Sequence, residues 1–262
     1  MRILFLGDIV GRPARRALRG RLRELRKEEA LDFVIANGEN AAGGKGLDVD
    51  SAEELFDAGI DVITSGNHIW QHNQIVPYFE REPRLLRPAN FAADCPGSGW
   101  VARPARDGTQ VAVLNLIGRV FMGSFDCPFR RADSALKAIA REGRVIVVDM
   151  HGEATSEKVA MGWYLDGRVS AVVGSHTHVQ TADERVLPGG TAYLTDAGMC
   201  GPIDSVIGMR KDEVLRRFRN QMPVRFEVAP GPVILQGVIL EIDPASGRAS
   251  GIRRLQEMQP PC

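Results

Sequence analysis

The sequence predicts a layered α/β sandwich, with helices packed over a mixed β-sheet core, in a single domain over residues 1–262. Three observations predict it. Short apolar runs alternate with amphipathic stretches as far as Val173, the signature of strands joined by helical crossovers. After Thr181 the apolar runs are parted only by Pro- and Gly-containing turns, which adds β-structure without helices. The length, 262 residues, approaches the limit of one hydrophobic core, which favours one large domain over two.

Residues 3–6 form a continuous apolar run, as expected of a strand buried on both faces. Pro13 suits the first turn of a helix, and Ala17, Leu18, Leu22 and Leu25 follow at helical spacing. Residues 33–36 are a second buried strand. Ser51 with Glu54 three residues on fits a capping box, opening a helix that carries Leu55 and Phe56 and ends at Gly59. Residues 61–64 are the third strand, so the β-α-β-α-β order implies right-handed parallel crossovers. Residues 83–106 are rich in Pro, Arg and Gly and read as an irregular excursion. Strands at 111–117, 145–148 and 169–173 alternate with helical stretches at 132–141 and 157–165. The strand candidates at the end are 186–187, 192–194, 224–228 and 233–242.

Polar motifs follow five of these strands: Gly7-Asp8, Asn37-Gly38-Glu39-Asn40, Ser65-Gly66-Asn67-His68, Asp149-Met150-His151-Gly152 and Gly174-Ser175-His176-Thr177-His178. Ligands gather beyond the carboxyl ends of strands in open α/β sheets, so these groups are expected along one sheet edge. Asp8 and Glu39 are hard anionic donors, Asn40 and Asn67 offer amide oxygens, and His151, His176 and His178 offer imidazole nitrogens. That mixture suits manganese, iron, zinc or magnesium rather than a soft-metal site. Four of the five histidines lie in these motifs; only His72 lies outside. Each residue alone has a blander reading: Asp8 as a cap, Asn40 as a turn residue, His151 as a core histidine. The pair His176-x-His178 is more specific, because alternate residues at a strand end face the same way.

Composition excludes other classes. Lys plus Arg equals Asp plus Glu at 33 each, so the broad basic footprint of a duplex-binding protein is missing. The basic run from Arg12 to Arg26 reads as a solvated helix face. Cys95, Cys127, Cys200 and Cys262 are too sparse for a disulfide scaffold and read as free thiols. With no signal-like or membrane-length apolar segment, a cytoplasmic protein with no membrane partner is expected. Gly43-Gly44-Lys45-Gly46 lacks the Ser or Thr of a P-loop, and no Gly-x-Ser-x-Gly elbow is present.

In this order the motifs resemble the calcineurin-like metallophosphoesterases. Gly66-Asn67-His68 and the lone His151 match that superfamily's pattern, and Gly174-Ser175-His176-Thr177-His178 matches with one inserted residue. Val10 stands where the first motif's histidine is expected, and Glu39 where the bridging Asp is expected. Both departures resemble the bacterial YmdB-like phosphodiesterase branch. So do the segments starting at Gly7, Asn37, Asn115 and Thr195. The resemblance implies a phosphodiesterase for 2′,3′-cyclic nucleotides and simple aryl phosphodiesters, holding two divalent or trivalent metal ions. Iron or manganese comes first, with magnesium or zinc as alternatives. Asp8 and His178, with Asn40 in place of the missing histidine, would hold one ion. Asn67, His151 and His176 would hold the other, and Glu39 would bridge. A water shared by two metals ionises near neutral pH and can attack phosphorus in line. His68 would protonate the leaving oxygen or, alternatively, orient a ligand. The partners implied are a small phosphoester or cyclic nucleotide and a second copy in a homo-oligomer. The rival readings are a phosphomonoesterase and a regulatory binding module that retains the metal site.

Overall fold

The structure is a computed structural model that describes residues 1–261. It opens with β1 (Arg2–Leu6), the two-residue β2 (Asp8–Ile9), α1 (Gly11–Glu28), β3 (Phe33–Asn37), α2 (Val49–Ala58) and β4 (Val62–Thr64). Three short 3-10 turns follow between Ile69 and Glu80. Then come β5 (Trp100–Pro104), β6 (Gln110–Ile117), α3 (Pro128–Ile139), β7 (Val145–His151), α4 (Thr155–Leu165) and β8 (Ala171–Ser175). The chain ends with β9 (Arg185–Val186), β10 (Ala192–Leu194), β11 (Met199–Pro202), α5 (Lys211–Asn220), β12 (Val233–Ile242) and β13 (Ala249–Gln259).

The mixed β-core is two sheets rather than one. The first runs β2-β11-β12-β1-β3-β4, with β13 also paired to β12. Its strands β1, β3 and β4 are parallel, and β12 lies antiparallel to β1. The second runs β5-β6-β7-β8-β10-β9, parallel from β6 through β10 with antiparallel edges. Alternation along the strands builds the layers. Ile3, Phe5, Phe33 and Ile35 point between the sheets and meet Val111, Val113, Val145 and Val147. Their strand neighbours Leu4, Leu6, Val34 and Ala36 point the other way, under Leu18, Leu22 and Leu25 of α1 and Leu55 of α2. On the far side Leu114, Ile146 and Val148 lie under Ala132, Ile139, Met161 and Leu165 of α3 and α4. The result is a helix–sheet–sheet–helix sandwich with every parallel strand buried on both faces. Each such Leu, Ile or Val contributes about 1.5–3 kcal/mol of burial.

Several local expectations need correcting. The cap of α2 is Asp48, whose carboxylate accepts the Ser51 N–H at 2.8 Å; Ser51 lies inside the first turn. Gly59 does end that helix, in a left-handed conformation at φ 111° that suits glycine. Residues 224–228 form no strand: only Val228 makes an isolated bridge, to Met209. The helix α5 was not foreseen; it is mostly charged and buries Val214 alone, with Leu215 and Phe218 exposed. On the basic face of α1, Arg12, Arg16, Arg19 and Arg23 are exposed as expected, while Arg15 and Arg21 are largely covered and paired, Arg15 to Glu54 and Arg21 to Glu28 and Glu257. Cys95, Cys127 and Cys200 are free thiols, and Cys262 lies outside the described residues. Among the described residues no helix is long and apolar enough to cross a membrane.

Candidate metal centre

The five polar motifs lie at the carboxyl ends of parallel strands or just beyond them, but they come from two sheets rather than one. Asp8, Glu39, Asn40, Asn67 and His68 arrive from the first sheet, after β1, β3 and β4. His151, His176 and His178 arrive from the second, at the ends of β7 and β8. The sandwich brings the two rims together.

Glu39 is the centre of the cluster. Its Oε1 lies 3.2 Å from His151 Nε2 and accepts from Asn40 Nδ2 at 3.3 Å, while Oε2 accepts the His68 backbone N–H at 3.0 Å. On one side of Glu39, Asn67 Oδ1 and His176 Nδ1 approach His151 Nε2 at 3.2 and 3.1 Å. On the other side, Asn40 Nδ2 is 3.2 Å from His178 Nε2, which lies 3.6 Å from Asp8 Oδ1. All eight residues singled out in the sequence are therefore in one constellation. Glu39, His151 and His176 alone bring three ligand atoms within 4.8 Å of one another. His72 does not join it; its Nε2 meets the Lys45 carbonyl at 3.1 Å. Val10, in the position of the absent histidine, is fully buried and apolar.

Burial drives the electrostatics. It pushes Asp8 up to about 6, against the opposing pull of His178 and His151. Burial also resists the charge on Glu39, but His151 and His68 outweigh it and hold that carboxyl down at about 2. For His151, burial is outweighed by Glu39, Asp8 and Asp149, which raise the imidazole to about 9. Burial, with His151 alongside, drives His176 down to about 3, and burial lowers His68 as well. Without a cation the centre is thus a buried Glu39⁻/His151⁺ pair flanked by neutral histidines.

The residues fit metal ions. Asp8 Oδ1 is buried and has no hydrogen-bond partner, an expensive condition for a carboxylate oxygen unless a cation faces it. Three imidazoles, two carboxylates and two amides converge with few hydrogen-bond donors to satisfy them, the chemistry of a hard or borderline metal site. Gly66 lets the two sides approach: a Cβ there would stand 2.2 Å from His151 Nε2 and 2.4 Å from Glu39 Oε2. Asn40 turns its Nδ2 toward Glu39 and His178, and its Oδ1 accepts from His68 Nδ1 at 2.8 Å. A half-turn of the amide would exchange the two ends.

The ring orientations are set from behind. The His178 Nδ1–H donates to the Ile207 carbonyl at 3.0 Å, leaving Nε2 as the lone-pair nitrogen facing Asp8. His151 Nδ1 meets Ser175 Oγ at 2.9 Å, and that hydroxyl donates to Asp149 Oδ1 at 2.6 Å. Asp149 Oδ2 in turn accepts from Asn37 at 3.2 Å and from the Thr64 hydroxyl. This network, buried throughout, ties the two sheets together under the site. His176 and His178 both have positive φ, 98° and 65°. Strand alternation therefore does not aim them; a bend does. Asp196 Oδ2 holds that bend by accepting the Thr177 N–H at 3.1 Å, and buried Lys158 donates to Ser175 O at 3.2 Å and to Asp196 Oδ2 at 2.8 Å. No supporting role for Asp149, Ser175, Lys158 or Asp196 was read from the sequence. The available signal was a carboxylate directly after four β-branched residues at Asp149, because a charge there must have buried partners.

The model of the YmdB-like protein family matches residues 4–255. A Bacillus subtilis (strain 168) protein named 2′,3′-cyclic-nucleotide 2′-phosphodiesterase is 47% identical, with 97% of this chain and 96% of that protein aligned. The crystal structure of a hypothetical protein from Thermus thermophilus superposes with a TM-score of 0.93 at 40% identity, covering 99% of this chain and 100% of that one. The structure of a novel phosphatase from Mycoplasma pneumoniae superposes with a TM-score of 0.92 at 32% identity, covering 99% and 94%. With the family model spanning nearly its whole length, this chain belongs to the YmdB-like family of metallophosphoesterases, and it is a hydrolase.

Proposed function

We propose that this enzyme hydrolyses 2′,3′-cyclic nucleotides with the help of two metal ions, iron or manganese foremost. One observation carries the reading: Glu39 stands between two donor groups, Asp8/Asn40/His178 and Asn67/His151/His176, each of a size to hold one ion. The name of the Bacillus subtilis relative supports the substrate. When bound, such a pair brings the pKa of water near neutrality and neutralises charge on the phosphoryl oxygens.

The chain's own residues do the rest. The Ile207 carbonyl keeps a proton on His178 Nδ1, so Nε2 is the nitrogen turned toward Asp8. Ser175 and Asp149 hold the His151 ring in place. Asn40 would turn its oxygen toward an ion held by Glu39 and His178, and its NH₂ would then face His68 Nδ1. That puts the His68 proton on Nε2. As the water oxygen bonds to phosphorus and the P–O2′ bond breaks, Nε2 delivers its proton to O2′, releasing the nucleoside 3′-phosphate. Free thiols at Cys95, Cys127 and Cys200 suit a reducing cytoplasm. The balance of 33 basic and 33 acidic residues suits a small substrate better than duplex nucleic acid. A homo-oligomer is compatible with this reading.

The test is hydrolysis of adenosine 2′,3′-cyclic phosphate with added manganese, with the product identified. Glu39→Gln and His151→Ala should nearly abolish turnover. His68→Ala should lower kcat by about 100-fold or more with metal content retained. Full activity in Glu39→Gln rejects the bridging role. The Mycoplasma relative is described as a phosphatase, so monoesters belong in the same panel. Faster turnover of nucleoside monophosphates than of any diester would favour the monoesterase.

A further inference from the structure

Beside the metal centre the surface opens into a cleft of ≈ 520 Å³. Asn67 lines one end of it, and the same Asn67 side chain reaches His151 Nε2 at 3.2 Å. A ligand in the cleft is therefore next to the reacting phosphorus. The walls are aromatic. Trp70 comes from the 3-10 turn after Gly66-Asn67-His68, Phe91 from the irregular excursion before β5, and Phe125 from the loop after β6. Phe91 and Phe125 stack at 5.1 Å with 23° between planes, and Trp70 is tilted 41° to Phe91 at 6.1 Å. Trp70 and Phe125 are only partly buried, so flat apolar surface stays wet beside a polar centre. Asn67, Ser124 and Asp126 supply the polar groups; no lysine or arginine is among the lining residues, although Arg131 stands 3.6 Å from Asp126 Oδ2.

The cleft is rigidly built. The fully buried Asn90 donates from Nδ2 to the Ile117 and Asp126 carbonyls at 2.8 and 2.9 Å and accepts the Ile117 N–H at 2.9 Å. It thus fastens the segment carrying Phe91 to the loop carrying Phe125 and Asp126. Without a cation in its lining the cleft does not suit a phosphate. It suits the part of a nucleotide that is flat, apolar on its faces and polar at its edge.

We propose that this cleft is the nucleobase subsite, with Trp70 as its main stacking surface and Asp126 accepting from N–H groups on the base edge. The proposal rests on the cyclic-nucleotide reading above and adds the residues that select a nucleotide over a simple phosphodiester.

Two measurements test it separately from that reading. The first is binding. Adenosine 3′-monophosphate should bind the metal-loaded enzyme more tightly than ribose 3-phosphate and quench tryptophan fluorescence. Trp70→Ala should weaken adenosine 3′-monophosphate binding roughly tenfold, with Trp70→Phe restoring most of the affinity. The second is selectivity. The ratio of kcat/KM for adenosine 2′,3′-cyclic phosphate to that for ribose 2′,3′-cyclic phosphate should fall roughly tenfold in Trp70→Ala, mostly through KM. Phe125→Ala should move both readouts in the same direction, and it serves as the test if Trp70→Ala does not fold. Equal binding of the two monophosphates by the wild type, or equal losses on both substrates in the variants, overturns the subsite. A wild type that hydrolyses neither cyclic phosphate overturns the functional reading, while the binding comparison still decides the subsite.

Discussion

The proton inventory of the centre follows from single residues. In the metal-free chain His151 stays protonated up to about pH 9, because Glu39, Asp8 and Asp149 outweigh its burial. A metal ligand must be unprotonated, so an ion binding at pH 7.5 has to displace the His151 proton. His176, already neutral down to about pH 3, gives up none. Asp8 titrates at about 6, so a second proton must leave once the pH falls below that value. Calorimetry in buffers of different ionisation enthalpy should show release of at least one proton at pH 7.5, and more near pH 5 as Asp8 adds its own. The apparent affinity for manganese should fall as the pH drops from 9, and more steeply below 6. Affinity independent of pH between 6 and 9 would contradict the protonated His151.

At the level of elements, the part most exposed to failure is the bend carrying His176 and His178. Neither residue sits in a strand, and both have positive φ, so the bend needs outside support. Lys158 of α4 and Asp196, after β10, provide it as a fully buried ion pair. Removing one member of a buried pair strands the other charge, which costs about 3–5 kcal/mol. Lys158→Met should therefore lower the unfolding free energy read from urea denaturation by an amount of that order, and the urea midpoint with it. It should also cut kcat more than it raises KM, because the two histidines lose their aim while the aromatic cleft stays intact. An unchanged urea midpoint would show that Asp196 is satisfied without the lysine. The cleft shows the same dependence on element ends: a 3-10 turn and two irregular segments supply its walls, and Asn90 locks the two irregular segments together.

Across the whole molecule, metal and fold are expected to separate. Four layers bury an extensive core between and outside the two sheets, so the chain does not depend on metal for its architecture. Chelation should abolish hydrolysis while leaving the far-ultraviolet circular dichroism unchanged. Unfolding should remain one cooperative transition by both circular dichroism and tryptophan fluorescence, as for a single domain. Restoring the metal should raise Tm with metal concentration, because the ions bind only the folded state. Two well-separated transitions would divide the sandwich into independently folding halves.

The alternation of strands and helices, the apolar faces of α1 and α2 and the members of the candidate centre were legible in the sequence, because they depend on local periodicity and on polar residues placed at strand ends. The cap of α2 was placed at Ser51 rather than Asp48 because either residue type can cap a helix, and only backbone geometry separates them. The helix α5 escaped because it is mostly charged and buries a single residue, so it offers no core-facing run to read. Three things were decided by the tertiary structure alone. The polar motifs come from two sheets, since pairing between distant strands is not written in either one. Asp149, Ser175, Lys158 and Asp196 support the histidines, because a buried polar residue reveals its partner only when the chain is packed. The aromatic cleft exists only where three segments far apart in sequence meet beside Asn67. Sequence determined which chemical groups the centre contains; packing determined which of them touch, because contacts between distant segments have no local signature.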